Sequence, residues 1–546
     1  MTLDQVQKAD YRFIQFLLLS LGVAVAFTGG CARSAAQTSE EDRPNIIIMY
    51  SDDHTAQAIG AYREALDYGL ELNHTPTPHI DRLAEGGMRF DNAFVGNSIC
   101  VPSRATMLSG MHSHMTGART NRDSLRPGLE TFPPLLQDAG YQTAMIGKWH
   151  LKSEPRGFDY YEVLYGQGPY YNPTMRTSEG DISREGHTSR VITNSALRWL
   201  RERREEGQPF AMIYNHKAPH RNWVPGPAHL GDYRDRDLPE PSSLSYDYSG
   251  LASLAEDQEM EIASSMSWGW DLKVPRHPET GERTDGWDQL IERNDLTDRQ
   301  RERIKEAYAE ENREFYEEYD EMSEEERLRW RYQRYVKDYL RTIRGLDDGV
   351  GRVISYLERE NLLDETIVIY AGDQGFFLGE NGWFDKRWIY EESMRQPLIV
   401  HWPDGIEAGS VNEHLVQNTD LAPTVLDLAE VEVPGSMQGR SLVPLLQGGT
   451  PEDWREAVYY QYYEGPPSMD AVHNVAQHYG VRTEQYTLAR YPGLEEWELF
   501  DLEEDPEQLQ SVYGEPDYSD VQERLKERLS ELQKKYEDDT WAEDTW

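Results

Sequence analysis

The sequence predicts an α/β fold: a large, mostly parallel sheet flanked by helices, then a smaller C-terminal region with a short antiparallel sheet and a helix. Three observations predict it. Continuous apolar runs at residues 44–50 and 366–371 read as strands buried on both faces, as parallel strands are. Amphipathic helical stretches separate such runs. Near Gly448 the pattern changes to short segments at 458–463, 479–483, 486–491 and 496–501, followed by a charged helix at 520–536.

At the N-terminus, residues 13–30 are the one long apolar run, with Lys8 and Arg12 before it. The run reads as a secretory signal peptide, with an uncleaved anchor as the alternative. Thr28-Gly29-Gly30-Cys31 resembles a bacterial lipoprotein box, which makes Cys31 a lipidation candidate. The expected location is therefore the periplasm or cell surface, with membrane contact only through such an anchor. Residues 1–31 are assigned to the signal and 32–43 to a small, polar linker. Cys31 and Cys100 are the only cysteines, which argues against a disulfide framework.

Residues 44–447 form the first domain. Its first strand, 44–50, stops at Ser51-Asp52-Asp53-His54. A helix at 77–84 and a strand at 88–94 follow, then a helix opening near Cys100. A helix at 131–139 precedes a strand at 142–146, which ends at Gly147-Lys148-Trp149-His150. A helix at 189–204 precedes a strand at 210–214, which ends at Asn215-His216-Lys217-Ala218-Pro219-His220. Residues 247–334 are acidic and poor in β-branched types, and read as a helical insertion. An amphipathic helix at 335–363 returns to the strand at 366–371, which ends at Gly372-Asp373-Gln374-Gly375. A strand at 397–400 and a helix around 424–426 complete the domain, and 448–546 form the C-terminal subdomain.

Apolar residues make up 38% of the chain and aromatics 11%, which excludes a disordered protein. The 55 Lys and Arg against 98 Asp and Glu give a net charge of −43, which argues against nucleic-acid binding. Such a chain must concentrate positive charge locally to hold an anion, so Lys and Arg within motifs carry extra weight.

The stretch from Asn97 to Gly110 is the densest of these motifs. Pro102 suits the first turn of a helix and Gly110 its end. Cys100 then sits at a helix N-terminus, where backbone N–H groups favour a thiolate, and Arg104 lies one turn on. The alternative is a small buried apolar residue. Asp52, Asp53, Asp373 and Gln374 all follow strands, where sites form in open α/β sheets. Three carboxylates and an amide oxygen suit a hard cation such as Ca²⁺ better than zinc. Taken singly, each Asp is also a good helix cap or turn former.

Cys100-Val101-Pro102-Ser103-Arg104 with Leu108-Ser109-Gly110 resembles the signature of the formylglycine-dependent sulfatases. Gly140-Tyr141-Gln142-Thr143 through Gly147-Lys148-Trp149-His150 resembles that family's second signature. The resemblance implies an alkaline-phosphatase-like fold and a sulfuric ester hydrolase. It implies that Cys100 is oxidised to formylglycine (3-oxoalanine) by a formylglycine-generating enzyme. It further implies that Asp52, Asp53, Asp373 and Gln374, with the modified Cys100, hold Ca²⁺. Lys148, Lys386 and Arg104 would offset sulfate charge, His150 would move a proton, and His220 would serve the leaving group, with His216 a neighbour.

Within the family the likeness is nearest to bacterial N-acetylglucosamine-6-sulfatases. It is carried by the stretches 166–173, 216–223, 382–387 and 479–483. The implied substrate is a sulfated glycan cleaved at the 6-O-sulfate of N-acetylglucosamine. Asp385 and Arg387 would contact its hydroxyls, and Asn172 and His478 are either sugar contacts or loop structure. Asn381 departs from the family, where His often precedes Gly-Trp-Phe. Alternatives are another 6-sulfated or marine polysaccharide sugar, and a phosphonate or phosphate monoesterase of the same fold.

Overall fold

Ten strands form the main sheet of the computed structural model, which describes residues 43–66, 77–465 and 473–544. The expected signal peptide, Cys31 and linker residues 32–42 lie outside the described residues. The strands are β1 (Asn45–Ser51), β2 (Met88–Phe90), β3 (Gln142–Lys148), β4 (Tyr160–Leu164), β5 (Thr174–Thr177), β6 (Gly180–Ser183), β7 (Phe210–Asn215), β8 (Thr366–Gly372), β9 (Leu398–His401) and β10 (Ser410–Asn412). Their order is β10-β2-β9-β8-β1-β7-β3-β4-β5-β6. The central five, β8-β1-β7-β3-β4, are parallel. Strand β9 runs antiparallel to β8 and β2, and β4-β5-β6 is an antiparallel meander.

The two faces of β1 explain the layers. Ile47 and Met49 face one core with Trp199, Leu200, Val350 and Ile354. Ile46, Ile48 and Tyr50 face the other with Val101, Leu108 and Leu426. Each fully buried aliphatic side chain contributes about 1.5–3 kcal/mol, so a strand apolar on both faces belongs in the centre. On the second face lies α1 (Cys100–Ser109), ended by Gly110 in the left-handed conformation (φ 65°). On the first lie α2 (Thr188–Glu202) and the long α4 (Glu324–Arg359), with α3 (Asp298–Glu318) in the insertion.

Two boundaries differ from the sequence reading. Helix α4 begins at Glu324, not near residue 335, because Ser323 and Glu326 form a reciprocal capping box. The stretch 88–94 is two strands: β2 joins the main sheet, while Ala93–Phe94 pairs with Val416–Gln417 after a break at Asp91-Asn92.

The C-terminal strands β11 (Ala457–Tyr462), β12 (His478–Thr483), β13 (Tyr486–Tyr491) and β14 (Glu496–Asp501) form an antiparallel sheet in that order. Helix α5 (Ser519–Lys535) covers one face through Leu525, Leu529 and Leu532. The other face buries Val458, Tyr460, Tyr462 and Phe500 against Phe94, Trp388 and Tyr390 of the first domain. Arg482 of β12 donates to Glu391 at 2.9 Å, adding a buried ion pair across that contact.

Gly147 matters because β3 and β7 lie close at their ends. It has φ +110°, and a Cβ there would stand 1.8 Å from the Asn215 carbonyl oxygen. Gly128 shares the left-handed conformation (φ +75°) but has nothing within 4 Å. Gly128→Ala is therefore expected to cost about 1–2 kcal/mol, the backbone term alone. Gly147→Ala adds the clash and is expected to cost about 3 kcal/mol or more. Urea denaturation midpoints check this, and equal losses for the two variants would contradict it.

Candidate active site

The site forms where four parallel strands end. Ser51 of β1 pairs with Gly372 of β8, so Asp52 and Asp53 come to lie beside Asp373 and Gln374. The Asp53 N–H donates to Asp373 Oδ1 at 2.9 Å, and Asp53 takes the left-handed backbone (φ 63°) that Asp tolerates. From the end of β3, Lys148 Nζ donates to Asp52 Oδ2 and to Gln167 Oε1. Beyond β7, His220 places Nε2 3.8 Å from Asp53 Oδ2. Its Nδ1 is 2.7 Å from the Arg221 carbonyl oxygen and so carries the proton.

Helix α1 delivers two more groups. Cys100 is its first residue and is fully buried, with Gln374 Nε2 3.7 Å from Sγ. Arg104 donates to Asp373 Oδ2 from Nε (3.1 Å) and Nη2 (2.8 Å), and from Nη1 to the Lys148 carbonyl at 3.1 Å. Lys386 donates to both oxygens of Asp53 at 2.6 Å. Its neighbours Asp385 (φ 83°) and Arg387 (φ 100°) are left-handed, which breaks the usual alternation. Asp385 faces His473 Nε2 at 3.1 Å, and Arg387 donates to Glu464 Oε2 at 3.3 Å. His150, with φ 60°, leaves its buried Nδ1 without a hydrogen-bond partner among the described residues.

Burial dominates the electrostatics. It pushes Asp373 up to about 8, with Asp52 adding and Arg104 opposing. Burial also acts to raise Asp52, but Lys148, His220 and Arg104 outweigh it and hold that carboxyl well below its ordinary value. His150 and His220 lie well below theirs because burial disfavours the charged ring. The Cys100 thiol is pushed up to about 12 by burial, with Asp52 and Asp373 adding to it and Lys148 opposing. This corrects the expectation of a ready thiolate: a helix N-terminus does not offset complete burial among carboxylates.

The donor set fits a hard cation. Ligand atoms of Asp52, Asp53, Cys100 and His220 lie within 4.8 Å of one another. Among the described residues Gln374 Oε1 is buried with no hydrogen-bond partner and Asp52 Oδ1 has only the Arg104 ion pair at 3.4 Å, and a cation bound by oxygens would satisfy both. A cation there would also reverse the balance that raises Asp373.

Asn172 and His478 lie apart from this cluster. The Asn172 amide donates to Asp295 O (2.8 Å) and Gln300 Oε1 (2.7 Å) and accepts from Gly186 N–H (2.9 Å), so its groups are spent on loop structure. His478 is fully buried, with its ring against Tyr460 and Tyr491 and Nδ1 2.9 Å from Ala476 O. Asn172 is thereby tied into its loop, while His478 Nε2 is buried with no hydrogen-bond partner among the described residues. His216 is buried against the edge of Tyr214 and is not among the clustered groups.

Sequence reasoning did not single out Gln167, Lys217, Arg221, Glu464 or His473. The first three lie inside the stretches 166–173 and 216–223, where polar positions beside the motif were the available signal. Glu464 and His473 come from the β11–β12 connection, and nothing local marks them.

A family model described as Sulfatase matches residues 44–431, and one described as N-sulphoglucosamine sulphohydrolase, C-terminal, matches 379–535. The chain is 42% identical over 526 residues to the N-acetylglucosamine-6-O-sulfatase of Bacteroides thetaiotaomicron, covering 95% of this chain and 91% of that one. It is 24% identical over 524 residues to the ulvan-active sulfatase of Formosa agariphila, covering 91% and 82%. A solved structure of a protein in complex with its substrate, D-glucosamine-2-N,6-O-disulfate, is 42% identical with a TM-score of 0.84. That match covers 91% of this chain and 98% of the other.

Arg104 tests the cluster without reference to turnover. Removing it leaves Asp373 buried among carboxylates. Arg104→Ala is therefore expected to cost about 3–5 kcal/mol of stability, read from urea denaturation. A loss below about 1 kcal/mol, as for a surface pair, would contradict the assignment.

Proposed function

The chain belongs to the sulfatase family, and from that premise we propose that it removes the 6-O-sulfate of N-acetylglucosamine from sulfated glycans. The observation that carries the sugar is the 42% identity, over 95% of the chain, to an N-acetylglucosamine-6-O-sulfatase. Cys100 is read as the precursor of formylglycine. Asp52, Asp53, Asp373 and Gln374 are read as the holders of Ca²⁺, on the strength of an all-oxygen donor set in which two buried oxygens, Asp52 Oδ1 and Gln374 Oε1, have no hydrogen bond among the described residues. Residues 1–31 are read as an export signal to the periplasm or cell surface, with Cys31 a candidate anchor. Among the described residues no helix is long and apolar enough to cross a membrane.

When present, formylglycine supplies an oxygen nucleophile and a route for expelling sulfate, and Ca²⁺ supplies charge against the sulfate oxygens. The chain's own residues do the rest. Lys148 and Lys386 already point into the cluster and bind the sulfate oxygens, which stabilises charge where it grows. Arg104 is committed to Asp373 and the Lys148 carbonyl, so it positions those groups instead of meeting substrate. His220 presents Nε2 to the cluster because Nδ1 is held by the Arg221 carbonyl. That nitrogen is read as facing the leaving alcohol, to which it donates only after taking up a proton, whereas Lys386 already carries one. His150, kept neutral by burial, accepts the proton released at residue 100.

Asp385 and Arg387 are read as the sugar contacts. Their partners, His473 and Glu464, fix them from the C-terminal subdomain. A site built to hydrogen-bond hydroxyls rejects an epimer because its buried polar groups are then unpaired.

Three measurements test this reading. Peptide mass spectrometry of active enzyme should find an aldehyde-bearing residue at position 100, and full activity with only unmodified thiol would overturn the nucleophile. In a panel of defined sulfated saccharides, 6-sulfated N-acetylglucosamine should be cleaved in preference to its galactose-configured counterpart. Arg387→Ala should lower kcat/KM on the sugar by about tenfold more than on a small aryl sulfate, a difference of one good charge-assisted contact. Equal losses would assign Arg387 to sulfate binding or structure.

A further inference from the structure

A cavity of about 220 Å³ adjoins the cluster, lined by Gln167, Lys217, His220, Asn222, Trp270 and Arg293 among others. It shares Arg221, Trp270 and Arg293 with a broader surface groove that also includes Gln289 and Glu292. The cavity therefore leads from the His220 side of the site toward solvent.

The cations of this region differ in one respect. Lys148, Lys386, Arg104 and Arg221 are each ion-paired, with Asp52, Asp53, Asp373 and Asp271 respectively. Lys217 is only 4% exposed, yet among the described residues it has no ion pair. Its contacts are the Arg221 carbonyl at 3.5 Å and the face of Tyr170, 4.5 Å from the ring centroid. Arg293 closes the helix Asp285–Arg293 and lies over the Trp270 ring at 5.5 Å, also without an ion pair among the described residues. Among the described residues Glu292 is the one carboxylate along the groove, and the paired Asp271 is held by Arg221. A buried ammonium without a counter-charge is expensive. Burial pushes Lys217 down to about 7, so an anion beside it would hold the ammonium charged, and Arg293 reaches the same cavity from an exposed position in a chain of net charge −43.

We propose that Lys217 and Arg293 form a second anion subsite at the entrance to the sulfate pocket, binding a second negatively charged group of the substrate. That group is an N-sulfate on the same sugar or a carboxylate or sulfate on the adjoining one. The inference rests on the reading of a 6-sulfated amino sugar as substrate. The sulfate ester under attack is served by Lys148 and Lys386, so Lys217 and Arg293 act on specificity.

The test compares kcat/KM of the wild type, Lys217→Met and Arg293→Gln on four compounds. These are a small aryl sulfate, N-acetylglucosamine-6-sulfate, glucosamine-2-N,6-O-disulfate, and 6-sulfated N-acetylglucosamine linked to a uronic acid. The wild type should prefer at least one doubly anionic compound over N-acetylglucosamine-6-sulfate, and added salt should erode the preference. Each variant should lower that ratio by about tenfold, mainly through KM. A fall for the disulfate places the anion on the same sugar, and a fall for the uronate compound places it on the neighbour. Unchanged ratios in an enzyme that cleaves 6-sulfated amino sugars would overturn the subsite alone. So would a Lys217→Met loss on the aryl sulfate as large as on the doubly anionic compounds. A wild type active on the aryl sulfate but on no 6-sulfated amino sugar would overturn the substrate reading and the subsite with it.

Discussion

Three fully buried carboxylates, Asp52, Asp53 and Asp373, set the terms for the rest of the molecule. The register of β1 and β8 brings them together, and burial opposes ionising them side by side. Three cations answer them from three separate places: Lys148 from β3, Arg104 from α1 and Lys386 from the loop after Phe384–Asp385. Removing one partner of a buried pair typically costs about 3–5 kcal/mol, so the strand order and the packing of α1 are coupled to this cluster. The same arrangement leaves Gln374 Oε1 without a hydrogen bond among the described residues and Asp52 Oδ1 with only Arg104 Nη2 at 3.4 Å, which is where a hard cation fits.

Backbone irregularity is concentrated around these charges. Asp53, His150, Asp385 and Arg387 all have positive φ, and Gly147 admits no side chain. Such conformations cost free energy and persist where the surroundings fix them. Here those surroundings include the C-terminal sheet. Its apolar face packs against Trp388 and Tyr390, its Arg482 pairs with Glu391, and the β11–β12 connection supplies Glu464 and His473. The subdomain thereby holds the lysine loop that faces the cluster.

Much of the centre was legible in the sequence, for a physical reason. Strands β1, β3, β7 and β8 are buried on both faces, so they appear as continuous apolar runs, and the polar residues that end them stand out. The β4–β6 meander was not legible, because residues such as Arg176 and Asp181 interrupt any apolar run on its partly exposed strands. The antiparallel direction of β9 has no periodicity signature either. In the site, Asp52, Asp53, Cys100, Lys148, His220, Asp373 and Lys386 come together as their motifs imply. Asn172 and His478 do not, since a sequence cannot show that an amide is already spent on its own loop or that an imidazole is packed among tyrosines. Lys217 and Arg293 escaped notice because their interest lies in what they lack: a carboxylate partner.

On this reading the ends of β1 and β8 build one oxygen-lined cation site beside residue 100. Elemental analysis of the purified enzyme tests it most directly, on the wild type and on Asp373→Asn, which retains shape and loses the charge. About one calcium per chain is expected in the wild type and little in the variant, because Ca²⁺ takes oxygen ligands and depends on their charge. Stoichiometric zinc in the wild type, or calcium retained in full by Asp373→Asn, would contradict it.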